Sequence, residues 1–161
     1  MVRLGPSDQL LDALISSAKI VLQLSSREGF EVKVSEALHK GKPVIAALAG
    51  GIPLQVQDGK NGYVVKVGDS TAVAQKAFEL MNDGYKYQKM SEYARNSVSD
   101  EVGTVGNAVA WLYLSAKLGS GEKVQGGEER WVADMARKEA GIPWEDGENR
   151  LPRGGIKVTT D

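Results

Sequence analysis

Cysteine is missing from the 161-residue sequence, and histidine occurs once, as His39. Without cysteine there is neither a disulfide framework nor a thiolate metal site, and nothing points to an oxidising compartment. A lone imidazole excludes a multi-histidine metal cluster. Neither sign of charge dominates: twenty Lys and Arg stand against twenty-one Asp and Glu, a formal net charge of −1. That balance leaves no basic stripe for nucleic acid and no acidic solvating tail. No apolar run approaches the ~20 residues of a membrane span, and the opening MVRLGPSDQ lacks the apolar region of a signal peptide. The expectation is a soluble, cytoplasmic protein with no nucleic-acid or membrane partner and no metal.

What is present is an ordinary globular composition, 42% apolar and 25% charged, on a chain long enough for one domain with a sizeable core. The first half alternates strand-like and helix-like segments. Pro6-Ser7-Asp8 is a helix start signal, followed by Leu10, Leu11, Leu14 and Ile15 at helical spacing. Residues 19–24 (KIVLQL) read as a buried strand, 31–40 as a helix ending at Gly41, and 43–48 (PVIAAL) as a second buried strand. Ala49-Gly50-Gly51 breaks that strand, a short element starts at 54–56, and DGKNG (58–62) is a turn. Tyr63-Val64-Val65 reads as a third strand. Gly68-Asp69-Ser70 then opens a helix to about Asn82, with an apolar stripe of Val73, Ala74, Ala77, Phe78 and Met81.

This alternation with unbroken apolar strands predicts an α/β fold with a parallel sheet covered on both faces. Helices are expected at 86–98, 105–118 and 128–140. Trp111, Leu112, Tyr113, Leu114 and Leu118 make the second too apolar for a free surface helix. Glycines make 119–127 a flexible link, and 141–161 reads as extended. The expected organisation is 1–100 as a partial nucleotide-fold domain, 101–140 as helices, and 141–161 as a tail.

The chemistry lies in residues 25–45, SSREGFEVKVSEALHKGKPVI. A strand ending at Leu24, a turn at Gly29 and a helix from about Phe30 place Glu28 at the carboxyl end of a parallel strand, where open α/β sheets bind ligands. The helix N-terminus favours an anion such as phosphate. Glu36, one or two turns on, can face the same crevice. Two such carboxylates suit a polyhydroxylated ligand, each accepting hydroxyl hydrogen bonds. Spacing alone leaves a second reading open, the polar face of an ordinary surface helix. Glu31 satisfies the helix dipole but repels an incoming phosphate, which Lys33 could offset. Both also read as plain first-turn solvent residues. His39 reads as a residue of the last helical turn, and Lys40 and Lys42 as surface charges. Gly50-Gly51 would let backbone approach a ligand or a neighbouring strand.

The set formed by the E-x7-E pair Glu28/Glu36, SEAL, GKPVI, AGGI and DGKNG resembles the donor-binding core of retaining glycosyltransferases with two Rossmann-like domains. More narrowly, PSDQLLDAL, EVKVSEALHKGKPVIA (with Glu31 where many relatives have glycine), GGIPLQV and GNAVAWLYL resemble the fungal trehalose phosphorylase/trehalose synthase group. The resemblance covers nearly the whole chain. It implies a partial Rossmann-like parallel sheet, half of a GT-B donor domain, followed by C-terminal helices.

It also implies roles. Glu28 would be the catalytic glutamate, lying beside the transferred hexose and contacting its hydroxyls. Retention in this class is usually explained by same-face attack through an oxocarbenium-like state, so Glu28 positions and stabilises and is not a nucleophile. Backbone N–H groups from Gly29 through Phe30 and Glu31 to Val32 would hold sugar or phosphate oxygens, with Lys33 beside them. Glu36 would bind the ribose of a nucleotide donor, or take another role if the donor is glucose 1-phosphate. No cofactor is implied. The partners would be glucose 1-phosphate and phosphate, or a nucleotide sugar. The basic pair that grips donor phosphates in this class has no match ahead of Glu28, since Arg3 and Arg27 do not fit it. The chain is thus expected to be the C-terminal part of an enzyme, partnered by a missing N-terminal domain or a full-length relative. Trp111 and Trp131 sit in helices resembling those that brace that domain. The resemblance implies a retaining glucosyl transfer in trehalose synthesis or phosphorolysis, inactive without that domain; the alternatives are a non-catalytic sugar-phosphate or nucleotide-sugar binding remnant and a generic NDP-sugar-dependent glycosyltransferase piece.

Overall fold

Ser7 caps the first helix by accepting the Leu10 N–H at 3.4 Å, and that helix, α1 (Asp8–Ser17), buries Ile15. The structure, a computed structural model, describes Gly5, residues 7–125 and residues 131–144. Pro6, Arg3, Gly126-Gly127, residues 128–130 and the tail from 145 lie outside the described residues. The chain divides after Ser97 into two compact units.

In the first unit the order is α1, β1 (Val21–Gln23), α2 (Val32–His39), β2 (Val44–Ala47), α3 (Ile52–Gln55), β3 (Gly62–Val65), α4 (Ser70–Asn82) and α5 (Gly84–Ser97). The three strands form one parallel sheet in the order β1-β2-β3, with Val21 opposite Val44 and Val44 opposite Gly62. The expected partial Rossmann-like α/β architecture is what forms. Central β2 is buried throughout, as an unbroken Val-Ile-Ala-Ala run covered on two faces requires. The edge strand β1 corrects the expectation of a buried strand: Leu22 is 50% exposed and Leu24, just after it, 46%. Successive side chains of a strand point to opposite faces, and among the described residues the face carrying Leu22 and Leu24 is left uncovered.

Glycine and asparagine set the turns. Gly41, at φ +69°, ends α2, where its N–H reaches the Leu38 carbonyl at 2.8 Å and the Lys42 N–H reaches Ala37 at 2.9 Å. Within DGKNG, Asn61 is fully buried: its Oδ1 accepts the Gln57 N–H at 2.7 Å, and its Nδ2 donates to the Gln55 carbonyl at 3.3 Å and Ser97 Oγ at 2.9 Å. This motif is a structural staple between α3, β3 and α5.

The core groups Ile45, Tyr63, Val65, Leu80 and Met90, with Val73 and Ala77 packed against them. Here the predicted stripe on α4 needs correction. Leu80 is the fully buried anchor, while Ala74, Phe78 and Met81 face outward, Phe78 at 71% exposure. The helix carries two apolar rows, and the row through Val73, Ala77 and Leu80 is the one that meets the sheet. Burying a leucine stabilises by about 1.5–3 kcal/mol. The same rotation turns Lys76 and Glu79 toward Tyr63, whose ring lies 4.3 Å from Lys76 Nζ. Glu79 accepts from Lys76 at 3.1 Å, from Tyr63 Oη at 3.2 Å and from Lys86 Nζ. Lys86 first and Lys76 second hold the Glu79 carboxyl down to about 2.

The second unit contains a 3-10 turn (Asp100–Val102), α6 (Thr104–Gly119) and α7 (Val132–Glu139). Gly106 and Ala110 are the buried face of α6, and a Cβ on Gly106 would come within 2.2 Å of the Asp100 carbonyl oxygen. Lys117 joins α6 to α7 through Glu139 at 2.6 Å, and Arg137 of α7 pairs with Asp100 at 3.1 Å. Tyr113 and Leu114 are half-buried, but Trp111, Leu112 and Leu118 are 61–70% exposed, so this unit does not supply the packing their apolar character called for. Among the described residues no helix is long and apolar enough to cross a membrane.

Candidate functional site

The segment from Gln23 to Glu36 leaves the carboxyl end of the parallel sheet and turns into α2. Gln23, the last residue of β1, donates from Nε2 to Ser25 Oγ at 3.1 Å and to Glu28 Oε1 at 3.3 Å. The half-buried Glu28 carboxylate is therefore aligned from the end of a strand. Behind it runs the Gly50-Gly51 turn. The Gly51 N–H donates to the Gly29 carbonyl at 3.2 Å, and a Cβ on Gly51 would stand 2.6 Å from that same oxygen. The close approach foreseen for this glycine pair is thus an approach to the Glu28–Gly29 backbone.

Phe30 is 51% exposed and Val32 58%, with Lys33 also exposed. Glu31 is the N-cap of α2, and its own carboxylate accepts the Lys33 N–H at 3.3 Å. Its backbone is spoken for as well. Gln55, at the end of α3 and only 5% exposed, accepts the Glu31 N–H at 3.0 Å and donates to the Glu31 carbonyl at 2.8 Å. The same Nε2 donates to Ser35 Oγ at 2.9 Å. Sequence reasoning missed Gln55. The one local signal was a carboxamide inside the apolar run GGIPLQV, while its partners lie 20 and 24 residues away.

Glu28, Gly29, Phe30, Glu31, Val32 and Lys33 thus form one continuous strand-to-helix edge. Glu36 is exposed and lines a different cleft of about 430 Å³ with Asp8, Gln9, Leu11 and Asp12 of α1. Glu28 is not part of that lining. Lys40 pairs with Asp12, leaving the cleft rimmed by carboxylates that favour hydroxyl donors over phosphate. A second cavity of about 250 Å³ lies at the carboxyl ends of all three strands, walled by Leu24, Ala47, Val65 and Val73, with Asp69 and Lys66 at its edge. Among the described residues no group of three or more His, Asp or Glu side chains could hold a metal ion.

Residues 3–97, which hold this whole edge, match the family described as "Glycosyl transferases group 1". The chain belongs to the group 1 glycosyl transferases. Within that family it is 57% identical over 159 residues to the trehalose phosphorylase of Grifola frondosa and 56% identical over 153 residues to that of Pleurotus pulmonarius. Those alignments take in 98% and 95% of this chain but 22% and 21% of the relatives. The chain therefore spans about a fifth of the length of the curated relatives it matches. Among solved structures, Anabaena HepE in complex with UDP-glucose superposes with a TM-score of 0.58 at 29% identity, covering 66% of this chain and 30% of that one.

Proposed function

We propose that the edge from Glu28 to Lys33, with Glu36 in the neighbouring cleft, is the donor-binding element of a retaining glucosyl transfer that makes or phosphorolyses trehalose. In the phosphorolytic direction trehalose and phosphate give glucose 1-phosphate and glucose. The observation that carries this reading is the Glu28 carboxylate, aligned by Gln23 at the carboxyl end of a parallel strand, with the backbone after it braced by Gly51. Glu28 contacts the hydroxyls of the transferred glucose, and the N–H groups of Gly29, Phe30 and Val32 meet the oxygens of the donor. Lys33 adds charge for a phosphate. Positioning of the second substrate supplies much of the rate in such transfers, so the turnover belongs to an assembly that includes an acceptor-binding domain, and this segment alone binds the donor. Intracellular sugar phosphates as substrates go with a cytoplasmic location.

Two donors fit. Similarity to trehalose phosphorylases favours glucose 1-phosphate. The carboxylate-rimmed cleft at Glu36 favours a nucleotide sugar, whose ribose would supply hydroxyls there. Thermal denaturation and calorimetric titration with glucose 1-phosphate and with UDP-glucose decide. A ligand held only by the native state at 100-fold over its Kd adds about 2.7 kcal/mol, so one donor should raise the melting temperature by several degrees. Glu28→Gln should weaken that donor at least tenfold, and Glu36→Gln should weaken only UDP-glucose. Failure of both donors to stabilise the protein overturns the reading.

A further inference from the structure

We propose that Gln55 is the positioning residue of this donor site: its side-chain amide fixes the loop from Glu28 to Glu31 in its ligand-binding form before the donor arrives. The proposal rests on the donor-binding reading above and gives a role to a residue of the GGIPLQV stretch to which none had been assigned.

Three observations converge on it. The first is burial. A carboxamide at 5% exposure, at the end of a four-residue helix, is costly unless hydrogen-bonded. The second is where its bonds go. Both Nε2 protons and one lone pair of Oε1 are used, two of these bonds on the main chain of Glu31 and one on Ser35. Bonding the N–H and the C=O of one extended residue, at φ −102° and ψ 104°, copies the pairing of a neighbouring β-strand. The third is the second clamp. Gly51, at the start of the same short helix, holds the Gly29 carbonyl, so α3 grips the loop at two points two residues apart. From the other side, Asn61 donates to the Gln55 carbonyl and anchors the clamp.

The physical consequence is preorganisation. A loop already held needs no ordering when ligand binds, and that saving appears directly as affinity. Removing the amide transfers the ordering to the binding step.

The test uses the full chain and three variants. Calorimetry with UDP-glucose and glucose 1-phosphate is combined with amide hydrogen exchange at Glu31. Wild type must bind one donor; if it binds neither, the donor-binding reading fails and this proposal falls with it. Given wild-type binding, Gln55→Leu should bind that donor at least tenfold more weakly. Its Glu31 amide should exchange at least tenfold faster, and saturating donor should restore the protection. A role confined to packing would not produce that ligand-dependent recovery. Gln55→Glu keeps an acceptor for the Glu31 N–H and should fall between wild type and Gln55→Leu. Ser35→Ala removes only the third bond and should stay within twofold of wild type. Binding by Gln55→Leu within twofold of wild type overturns the proposal while leaving the donor site standing. Should Gln55→Leu not fold, Gln55→Glu decides in the same way: at least threefold weaker binding supports the clamp, and wild-type binding overturns it.

Discussion

Gly50 and Glu28 meet backbone to backbone so closely that a Cβ on the glycine would lie 1.5 Å from the glutamate carbonyl oxygen. Gly50 also holds φ at +52°, a conformation costing other residues about 1–2 kcal/mol. Gly50→Ala should therefore destabilise the first unit by more than that and displace the Glu28 loop. Gly59 is the control, with φ +75° and nothing within 4 Å of the place a Cβ would take. Urea denaturation should show a clearly larger loss for Gly50→Ala than for Gly59→Ala. Equal losses would mean the contact with Glu28 carries no energy.

Leu80 and Phe78 offer a second comparison on a single helix. Leu80→Ala removes a fully buried side chain and should cost about 2–5 kcal/mol. Phe78→Ser changes a side chain that is 71% exposed and should stay within about 0.5 kcal/mol of wild type. Chemical denaturation of the two variants checks the rotation assigned to α4. A costly Phe78→Ser with a mild Leu80→Ala would put the other row inside.

Glu79 makes stability depend on acid. Its carboxyl is held at about 2 against an ordinary 4.5, chiefly by Lys86 and then Lys76. A carboxyl whose value is lowered on folding contributes fully above the unfolded value and loses that contribution as pH falls through the folded one. Wild type should thus melt above Glu79→Gln at neutral pH, by no more than about 2–4 °C since the cluster is part-exposed. The gap should close between pH 4.5 and about 2. Parallel melting curves across that range would remove Glu79 from the account.

The elements legible in the sequence are those with local causes. Ser7 and Asp69 cap α1 and α4 where they were expected, and Gly41 ends α2. The apolar run of β2 identified its own burial. What failed depended on distant partners. Residues 19–24 looked as buried as 43–48, because hydropathy does not say which face of a strand is covered. Two apolar rows on α4 could not be ranked without Tyr63 and Ile45 beneath one of them. The site was half legible in the same sense. The strand-to-helix edge bearing Glu28 follows from a short segment, whereas the pairing of Glu36 with α1 and the clamp by Gln55 depend on residues more than twenty positions away.

The strand order has a kinetic consequence. Val21 pairs with Val44 and Val44 with Gly62, so each strand joins the sheet by closing a loop of roughly twenty residues onto the strand made just before it. Closures of that length cost only modestly more chain entropy than shorter ones, because the cost grows slowly with loop length. Parallel sheets that insert a late strand between early ones must wait for the later chain, whereas these three strands neighbour one another in chain order. The Glu28 loop, between β1 and β2, and the α3 clamp on it, between β2 and β3, therefore lie within one short run of sequence.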